Sequence, residues 1–397
     1  MSSQPSRPRA LVLASTYPAR TGDGTPSFVR DLAVGISRDF DVLVVVPAVP
    51  GAPAREQGEG IAVHRYRYFI RRFEDLAHGA ILENVRSRKS RLLQVPFLLI
   101  AQAVAVRKAV SHHKPDVIHA HWIIPQGMVA RVVAGKIPTV VTTLGGDLYA
   151  LNDPISRRIK SAVVRRAKAV TVMSEDMRRR AIALGANPDT TSVKPMGAAT
   201  AEFAKAAADH QRSTVGPVEL LAVGRMVEKK GFAILIEALR AIDPSLWHLT
   251  MVGDGPLRDA LESSAGGLPV TFEGQLGRAE LAAADAAAHI AIFPSVRAAS
   301  GDQDGLPVAL LEAMAAGCAV VVSDLPGLTD AVEPGVSGVV TPNGDSRALA
   351  EAIRTLINDA SLRELLGAGA KERSQTFDVA AVGRGYAEVL GAAIKRA

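Results

Sequence analysis

The chain has 397 residues, more than one ordinary hydrophobic core accommodates, and this length predicts two domains. Hydrophobic residues make up 48% of it, which is typical of a globular protein and argues against disorder. The net charge of +6 is modest, and aromatic residues, at 4%, are too sparse for the base stacking that favours nucleic-acid binding. We therefore expect a two-domain globular protein with no nucleic-acid partner.

Basic residues concentrate in two stretches of the first half. The first holds Arg65, Arg67, Arg71, Arg72, Arg86, Arg88, Lys89 and Arg91, and the second holds Arg157, Arg158, Lys160, Arg165, Arg166 and Lys168. Such stretches are typical of a surface that meets an anionic membrane or an anionic acceptor, and equally of solvated helix faces. Both interpretations stay open.

The longest apolar run, 92–106, is interrupted by Gln94, Pro96 and Gln102, and we expect it to fall short of a membrane span. The apolar residues 11–14 are too few for the core of a signal peptide. We therefore expect a cytoplasmic protein, with peripheral contact at the inner membrane face through its basic first domain. The single cysteine, Cys318, lies between an apolar helix and an apolar strand and is expected to be buried.

Strand-like apolar runs alternate with helix-like periods along the chain. The predicted strands are 10–15, 41–47, 117–121, 139–143, 169–173, 192–195, 218–223, 248–252, 270–273, 289–294 and 319–323. The predicted helices include 26–37, 92–112, 231–241, 307–316 and 347–358. This alternation indicates α/β domains with parallel sheets and right-handed crossovers.

The alternation breaks at 197–217, which we interpret as a linker between domains. We expect two doubly wound Rossmann-like domains, residues 1–200 and 215–375, that face each other across a cleft. A helical pattern within 376–397 is expected to pack back on the first domain. Ligands of such sheets bind outside the carboxyl ends of the strands, so we expect the functional residues to follow the predicted strands.

The richest motif begins with Asp304 and Gly305, directly before a predicted helix. Leu306 and Pro307 stand at the helix start, where a proline fits the first turn and where unpaired N–H groups form an anion site. Glu312 follows among apolar residues of the same helix. A carboxylate there needs a partner, and a pair of ligand hydroxyls would serve.

Three further glycine-containing turns follow predicted strands. Gly224 precedes Arg225 and Lys230, two cations suited to neutralising a diphosphate, although surface cations are also common. Gly253 either forms the wall of a nucleotide-base site or is a plain turn. Gly24 lies in a loop that resembles a phosphate-binding turn but lacks the complete glycine fingerprint, so an ordinary flexible turn is the alternative.

Two candidate groups lie in the first half. His119 and His121 end a predicted strand, and the period of two places both side chains on one face. A metal would need a third ligand, and none is near in sequence, while a hydrogen-bonded core histidine is the alternative. Gly146 and Asp147 follow the strand 139–143, and the carboxylate is suited to sugar hydroxyls or to a helix cap.

Asp302 and Asp304 spell a DxD pattern, which in some transferases holds a divalent metal between phosphates. Arg225 and Lys230 already supply positive charge, so we expect neither a metal nor a cofactor.

Together these elements resemble the retaining nucleotide-sugar glycosyltransferases of the GT-B fold, family 4 or group 1, over nearly the whole chain. Asp304 and Glu312 match the two acids that this family separates by seven residues, although the first is usually Glu. Arg225 and Lys230 match its diphosphate-binding pair. Gly24 matches its first glycine-containing loop.

The resemblance implies transfer of a sugar from a UDP- or GDP-linked donor, with retention of the anomeric configuration, to a lipid-linked or polysaccharide precursor. Arg225 and Lys230 would stabilise the leaving diphosphate, and Glu312 would bind the ribose. His121 matches the family histidine near the donor sugar, which Asp304 would help to position.

The first domain would bind the acceptor, through His119, Gly146 and Asp147. Leu144, where the family often has His or Arg, is a departure. The alternatives are a nucleotide-sugar epimerase or hydrolase of the same architecture, and a non-catalytic nucleotide-binding protein.

Overall fold

Two units, each with its own mainly parallel sheet, make up the computed structural model of the protein. The structure describes residues 7–20, 25, 27–78, 81–299, 301 and 303–396. The first unit comprises the described residues up to Gly197 and those from Val382 on, and the second comprises 198–381.

The first unit is built around an eight-stranded sheet. Its strands are β1 (Arg9–Leu13), β2 (Asp41–Pro47), β3 (Arg55–Gly58), β4 (Ile61–Tyr66), β5 (Val117–His121), β6 (Thr139–Thr142), β7 (Ala169–Val172) and β8 (Thr191–Val193). Its helices are α1 (Phe28–Ile36), α2 (Ile81–Ser87), α3 (Val95–His113), α4 (Met128–Val133), α5 (Gly146–Tyr149), α6 (Pro154–Arg166) and α7 (Glu175–Ala183). The strand order is β3-β4-β2-β1-β5-β6-β7-β8, and only the β3–β4 pair is antiparallel.

Both faces of this sheet are covered, as the uninterrupted apolar strands predict. Along β1, Ala10 and Val12 belong to one hydrophobic cluster, while Leu11 and Leu13 belong to another. Successive side chains of a strand point to opposite faces of the sheet, which explains why neighbouring residues of β1 belong to different clusters. All four side chains are buried, so the central strand lies between two helical layers.

The second unit has six parallel strands, β9 (Val218–Val223), β10 (Trp247–Val252), β11 (Val270–Gly274), β12 (Ile290–Phe293), β13 (Ala319–Ser323) and β14 (Val339–Thr341). Its helices are α8 (Ala201–Ala208), α9 (Phe232–Leu239), α10 (Arg258–Ser264), α11 (Arg278–Ala287), α12 (Val308–Ala315), α13 (Leu328–Ala331), α14 (Ser346–Asn358) and α15 (Ala360–Ser374). The strand order is β11-β10-β9-β12-β13-β14, so successive strands are added on one side of β9 up to β11 and on its other side from β12 onward. The order therefore reverses between β9 and β12, while all strands stay parallel. Doubly wound sheets bind their ligands at such a reversal.

The expected linker contains structure. Residues 201–208 form α8, whose Phe203 is buried against Ala282 and Ala315 of the same unit. The alanine-rich segment has a high helix propensity but no strand alternation, which is why it resembled a linker. The second unit therefore begins at Ala198 rather than at 215.

The last helix, α16 (Val379–Lys395), contributes to the core of the first unit through Tyr386, Leu390 and Ala393. The Tyr386 hydroxyl donates a hydrogen bond to the carbonyl of Lys194, at 2.7 Å.

The helical stretch Lys89–His113, which contains α3, is long and apolar enough to cross a membrane by length and composition. In the protein, 33% of its most apolar 18-residue segment is buried. The expectation that this run falls short of a span is therefore wrong on those two criteria, because Gln94, Pro96 and Gln102 lower its mean hydropathy less than the surrounding apolar residues raise it.

Candidate active site

An ion pair links the two strand ends at the reversal point of the second sheet. The Lys230 Nζ atom lies 2.8 Å from Oδ2 of Asp304, and the Ser295 hydroxyl donates to the same oxygen at 2.7 Å. Lys229 Nζ lies 3.9 Å from the other carboxylate oxygen. Asp304 is buried, so its charge depends on these partners for stabilisation. Two residues predicted independently for the site are thus in direct contact.

The lysine loop is held close to the loop that follows β12. Gly231 has φ +67°, and a Cβ atom there would lie 1.8 Å from the carbonyl oxygen of Pro294. The Val296 N–H donates to the carbonyl of Lys229 at 2.8 Å, and the Ala299 N–H donates to Glu228 Oε1 at 2.8 Å. These contacts fix the backbone from which Lys230 reaches Asp304.

The predicted glycines Gly224 and Gly253 lie against each other. A Cβ atom on Gly253, whose φ is +129°, would lie 2.1 Å from the carbonyl oxygen of Gly224. A Cβ atom on Gly224 would lie 3.0 Å from Cε of Lys230. Gly253 therefore requires glycine, because the loops after β9 and β10 approach too closely there for a side chain, whereas at Gly224 the backbone φ of +155° disfavours one. Arg225 follows Gly224 and is exposed.

The predicted helix start is confirmed with a shift of one residue. Pro307 is the N-cap, with φ −68° and ψ 131°, and α12 begins at Val308 rather than with the proline in its first turn. A Cβ atom on Gly305 would meet no described protein atom within 4 Å, while Leu306 is half-buried. The backbone before the helix therefore leaves room beside Gly305.

Glu312 is buried in α12 and has a cationic partner that the sequence did not indicate. Arg278 Nη1 lies 3.4 Å from Glu312 Oε1, and Arg278 Nε lies 2.8 Å from Glu202 Oε2. The same guanidinium donates to the carbonyl of Ala199 and lies over the ring of Phe203, 5.0 Å from its centroid. Arg278 thereby connects α12 with α8.

A second buried acid lies near Glu312. Burial raises the pKa of the Asp285 carboxyl well above its usual range, and the negative charge of Glu312 adds to the shift, while Arg212 opposes it. Cys318 is buried as expected, and burial raises the pKa of its thiol to about 12. The neutral thiol donates to the carbonyl of Asp285 at 3.2 Å, so both groups serve the packing of this unit.

His119 and His121 share one buried face of the first sheet, as predicted, with ring centroids 4.3 Å apart. Burial lowers the pKa of His119 to about 3 and that of His121 well below its usual value, so both rings are neutral at neutral pH. His119 Nε2 is 2.7 Å from Oγ1 of Thr142. Neither ring nitrogen of His121 has a hydrogen-bond partner among the described residues.

The loop with Gly146 and Asp147 is held by a contact within itself and by one to Ile123, which follows β5. Asp147 Oδ2 accepts from the Ile123 N–H at 2.6 Å, and Oδ1 accepts from the Thr143 hydroxyl at 2.7 Å. Burial raises the pKa of this carboxyl. Gly146 is the first residue of α5, with Gly145 as the N-cap, so Asp147 is not the helix cap that we considered. Its carboxylate closes the turn instead.

Gly24 and Asp302 lie outside the described residues, and the expectations for them stay predictions. The described residues include no group of three or more His, Cys, Asp or Glu that could hold a metal ion.

Two family models match the chain, one in each half. The model of the glycosyl transferase 4-like domain matches residues 23–197, and that of the glycosyl transferases group 1 matches residues 217–359. The chain belongs to the group 1 glycosyltransferases. The resemblance drawn from its motifs is confirmed.

This group 1 glycosyltransferase is 36% identical over 183 residues to the amylovoran biosynthesis glycosyltransferase of Erwinia amylovora, a match that spans 44% of each chain. It is 31% identical over 297 residues to the glycogen synthase of Mycobacterium tuberculosis, over 70% of this chain and 69% of that protein. It is 26% identical over 388 residues to the GDP-mannose-dependent alpha-(1-6)-phosphatidylinositol monomannoside mannosyltransferase of the same organism, over 92% and 93%.

Solved structures share its fold. Sucrose-phosphate synthase from Thermosynechococcus elongatus aligns with a TM-score of 0.77 at 21% identity, over 98% of this chain and 100% of that one. Anabaena HepE in complex with UDP-glucose aligns with a TM-score of 0.67 at 20% identity, over 97% and 99%. The predicted α/β class with two parallel-sheet domains of GT-B type is thereby confirmed.

In the described part of the second unit of this glycosyltransferase, sequence reasoning missed three side chains that contact predicted site residues: Lys229, Arg278 and Ser295. Ser295 stands two residues after β12 and Arg278 stands at the start of α11, so both lie next to strand or helix ends. Position alone was the available signal. Their partners depend on which strands are neighbours, and that information came only with the sheet order.

Proposed function

We propose that this glycosyltransferase transfers a sugar, with retention of the anomeric configuration, from a UDP- or GDP-linked donor to a lipid-linked or polysaccharide precursor. One observation carries the proposal: the Lys230–Asp304 contact of 2.8 Å lies where the strand order of the second sheet reverses. A ligand site is expected at that point of a doubly wound sheet.

The leaving diphosphate gains negative charge as its bond to the anomeric carbon breaks. Lys230 would stabilise this charge together with Arg225, with the backbone N–H groups at Gly24 and with those near Leu306 and Pro307. The pairing of Lys230 with Asp304 supports this role, because it holds the ammonium group in one position before the donor binds. The cations supply positive charge at this point, so the proposed reaction needs no metal.

The ribose of the donor would bind Glu312. Its burial supports the proposal, because a buried carboxylate offers strong acceptors to a pair of hydroxyls. Arg278 would hold the carboxylate in position, and Gly224 and Gly253 would let the nucleotide approach the backbone.

The transferred sugar would contact Asp304 and His121. His121 is neutral and buried, and a buried ring nitrogen without a partner is costly. This supports a sugar hydroxyl as its partner, with the imidazole acting through hydrogen bonds rather than through charge. In the proposal, His119 and Gly146 would contact the acceptor. The carboxylate of Asp147 already accepts hydrogen bonds from Ile123 and Thr143, so it is not assigned to the acceptor.

The transfer reaction is tested by binding and by product analysis. Melting temperatures are measured with UDP, GDP, ADP and dTDP and their sugar conjugates, since a ligand of the folded state raises the melting temperature. We expect a shift with one base that Arg225→Ala abolishes. No shift with any of these nucleotides would contradict the donor site.

Retention is tested separately. The nucleotide sugar that raises the melting temperature is incubated with candidate lipid-linked and oligosaccharide acceptors. The anomeric configuration of the product is read from the NMR coupling constant of its anomeric proton. An inverted product would refute retention while leaving transfer intact. Release of free sugar at an unchanged rate with and without acceptor would favour the hydrolase alternative.

A further inference from the structure

Helix α3 carries a second apolar face that points away from the protein. Its inner face is buried in the first unit through Leu98, Gln102, Ala105, Val106 and Ala109. On the other side, exposed apolar residues begin in the turn just before α3 and recur at spacings of four, three and four: Leu93, Phe97, Ile100 and Val104. This spacing lines them up in a single stripe along the helix.

The stripe continues onto the turn before α2. Ile70 and Phe73 are exposed there, and the neighbouring Phe69 ring packs edge to face on Phe97 with centroids 5.3 Å apart. Gln94 Nε2 donates to the carbonyl of Phe73 at 2.9 Å and so attaches the turn to the start of α3. We define the α3 patch as Ile70, Phe73, Leu93, Phe97, Ile100 and Val104, which are between 49% and 72% exposed.

Positive charge surrounds the α3 patch. Residues 67–108 hold nine Arg and Lys against three acids. Two of the acids are already paired, since Glu74 lies 2.8 Å from Arg67 and Asp75 lies 2.8 Å from Arg91. A further group of exposed cations remains on the turn and at both ends of the stripe: Arg71, Arg72, Arg88, Lys89, Arg107 and Lys108.

We infer that the α3 patch docks on an anionic lipid bilayer, with α3 lying in the plane of the interface. A helix that crosses a bilayer would have to leave the first unit, but Val106 and Gln102 are fully buried there. The exposed stripe alone is therefore available to lipid. An apolar face with flanking cations is the pattern of helices that lie on membranes. This docking is independent of the transfer reaction.

Charge argues for lipid over a second copy of the chain. Two α3 patches that faced each other would bring their exposed cations together, and like charges at short range repel. An anionic surface neutralises the same cations while the apolar side chains enter the interface. Docking should consequently weaken as salt is raised, because exposed charges are screened.

The experiment is vesicle flotation of the full-length protein. Vesicles of phosphatidylglycerol with phosphatidylcholine are compared with vesicles of phosphatidylcholine alone. We expect binding to the anionic vesicles, and a loss of about tenfold or more in partitioning for the double variant Phe97→Ser/Ile100→Ser. Val336→Ser/Leu365→Ser, which changes comparably exposed residues of the second unit, is the matched control and should bind as the unchanged protein does.

A second pair of variants tests the charge. Arg88→Gln/Lys89→Gln should weaken binding to anionic vesicles and make it less sensitive to salt. Melting temperatures establish that each variant is folded. Equal binding of Phe97→Ser/Ile100→Ser and the control pair would overturn the inference. So would a dimer of the unchanged protein that Phe97→Ser/Ile100→Ser converts to a monomer, because the patch would then be a contact between copies.

Discussion

The two sheets bring different chemistry to the carboxyl ends of their strands. The second sheet brings a contact between opposite charges, Lys230 and Asp304. The first sheet ends β5 with two imidazoles, His119 and His121, which burial keeps neutral. The same type of fold thus presents ions on one sheet and uncharged hydrogen-bonding groups on the other.

This difference follows from what surrounds each group. Around Asp304, opposite charges and the Ser295 hydroxyl compensate for burial. Around His121 the described residues offer no compensating acid, so desolvation removes the charge instead. In the proposed reaction, charge-dependent work such as holding a diphosphate would accordingly fall to the second unit, whereas the first would contribute orientation through neutral contacts.

The largest effect is expected from Lys230→Ala. It removes the cation that would stabilise the leaving diphosphate, and we expect kcat to fall by about a hundredfold to a thousandfold. Lys229→Ala is the matched control, because its ammonium lies farther from Asp304, and its effect should be much smaller. Initial rates of sugar transfer measure both. A Lys230→Ala enzyme with unchanged kcat would refute the assignment of charge-dependent work to this lysine.

The next effect concerns Glu312 and Arg278. Glu312→Gln weakens the acceptors proposed for the ribose, and we expect the donor KM to rise by about tenfold to a hundredfold. Arg278→Gln removes the cation that lies 3.4 Å from this buried carboxylate and should lower the free energy of unfolding by about 1–2 kcal/mol.

A double-mutant cycle separates the two roles. Arg278→Gln/Glu312→Gln should recover part of the unfolding free energy, because a neutral amide replaces the buried carboxylate of Glu312, yet the donor KM should stay high. Urea unfolding and donor titration measure the two quantities. Recovery of donor KM in the double variant would show that Glu312 does not bind the donor.

The neutral imidazoles of the first sheet predict a pH effect. The folded chain holds the pKa of His119 at about 3, against 6.5 when unfolded, so only the unfolded chain takes up this proton as pH falls below 6.5. The free energy of unfolding must then decrease between those values. In His119→Gln this loss between pH 7 and pH 5 should be smaller by about 1–2 kcal/mol.

Urea unfolding at both pH values measures this difference, with His112→Gln, an exposed histidine of α3, as the control. The raised pKa of Asp147 acts in the opposite sense but is common to all the proteins compared. An unaltered pH dependence in His119→Gln would mean that this imidazole is not kept neutral by burial.

The smallest effect is expected at Gly305. A Cβ atom there meets no described protein atom within 4 Å, so Gly305→Ala should change the free energy of unfolding by about 0.5 kcal/mol or less. If the sugar donor approaches this backbone, Gly305→Ala should raise the donor KM by about threefold to tenfold, because the added methyl group displaces one contact. Gly391→Ala in α16, also without neighbours, is the control. An unchanged donor KM would exclude close approach at Gly305.

The central strands were predictable because their residues alone determine them. The runs 41–47, 117–121, 218–223 and 319–323 were predicted residue for residue, since apolar residues dominate these strands even where a histidine or Glu219 interrupts the run. Strand β3, with the sequence Arg-Glu-Gln-Gly, was missed because it is polar and exposed at the sheet edge. It forms through pairing with β4, which its own residues do not signal.

For the candidate site, the sequence singles out residues but not their contacts, and the roles given to them stay predictions. Lys230 was singled out because it follows a strand and Asp304 because it precedes a helix, and the sheet order then brings them together. Arg278 was missed because its contact with Glu312 joins residues 34 positions apart. The role of Asp147 also stayed undecided, since a cap, a ligand contact and a turn closure need the same residue type at the same place. Only the hydrogen-bond donors around the Asp147 carboxylate distinguish these three roles.

The position of α16 has a consequence for synthesis. Tyr386, Leu390 and Ala393 belong to the core of the first unit, although the ribosome adds them after the whole of the second unit. Domains usually fold as units in the order of their translation. Here the second unit, an uninterrupted segment, can complete its core first, while the first waits with an open position beside His119 and Lys194 for the last helix. The half of the protein that is made first is therefore the half that is finished last.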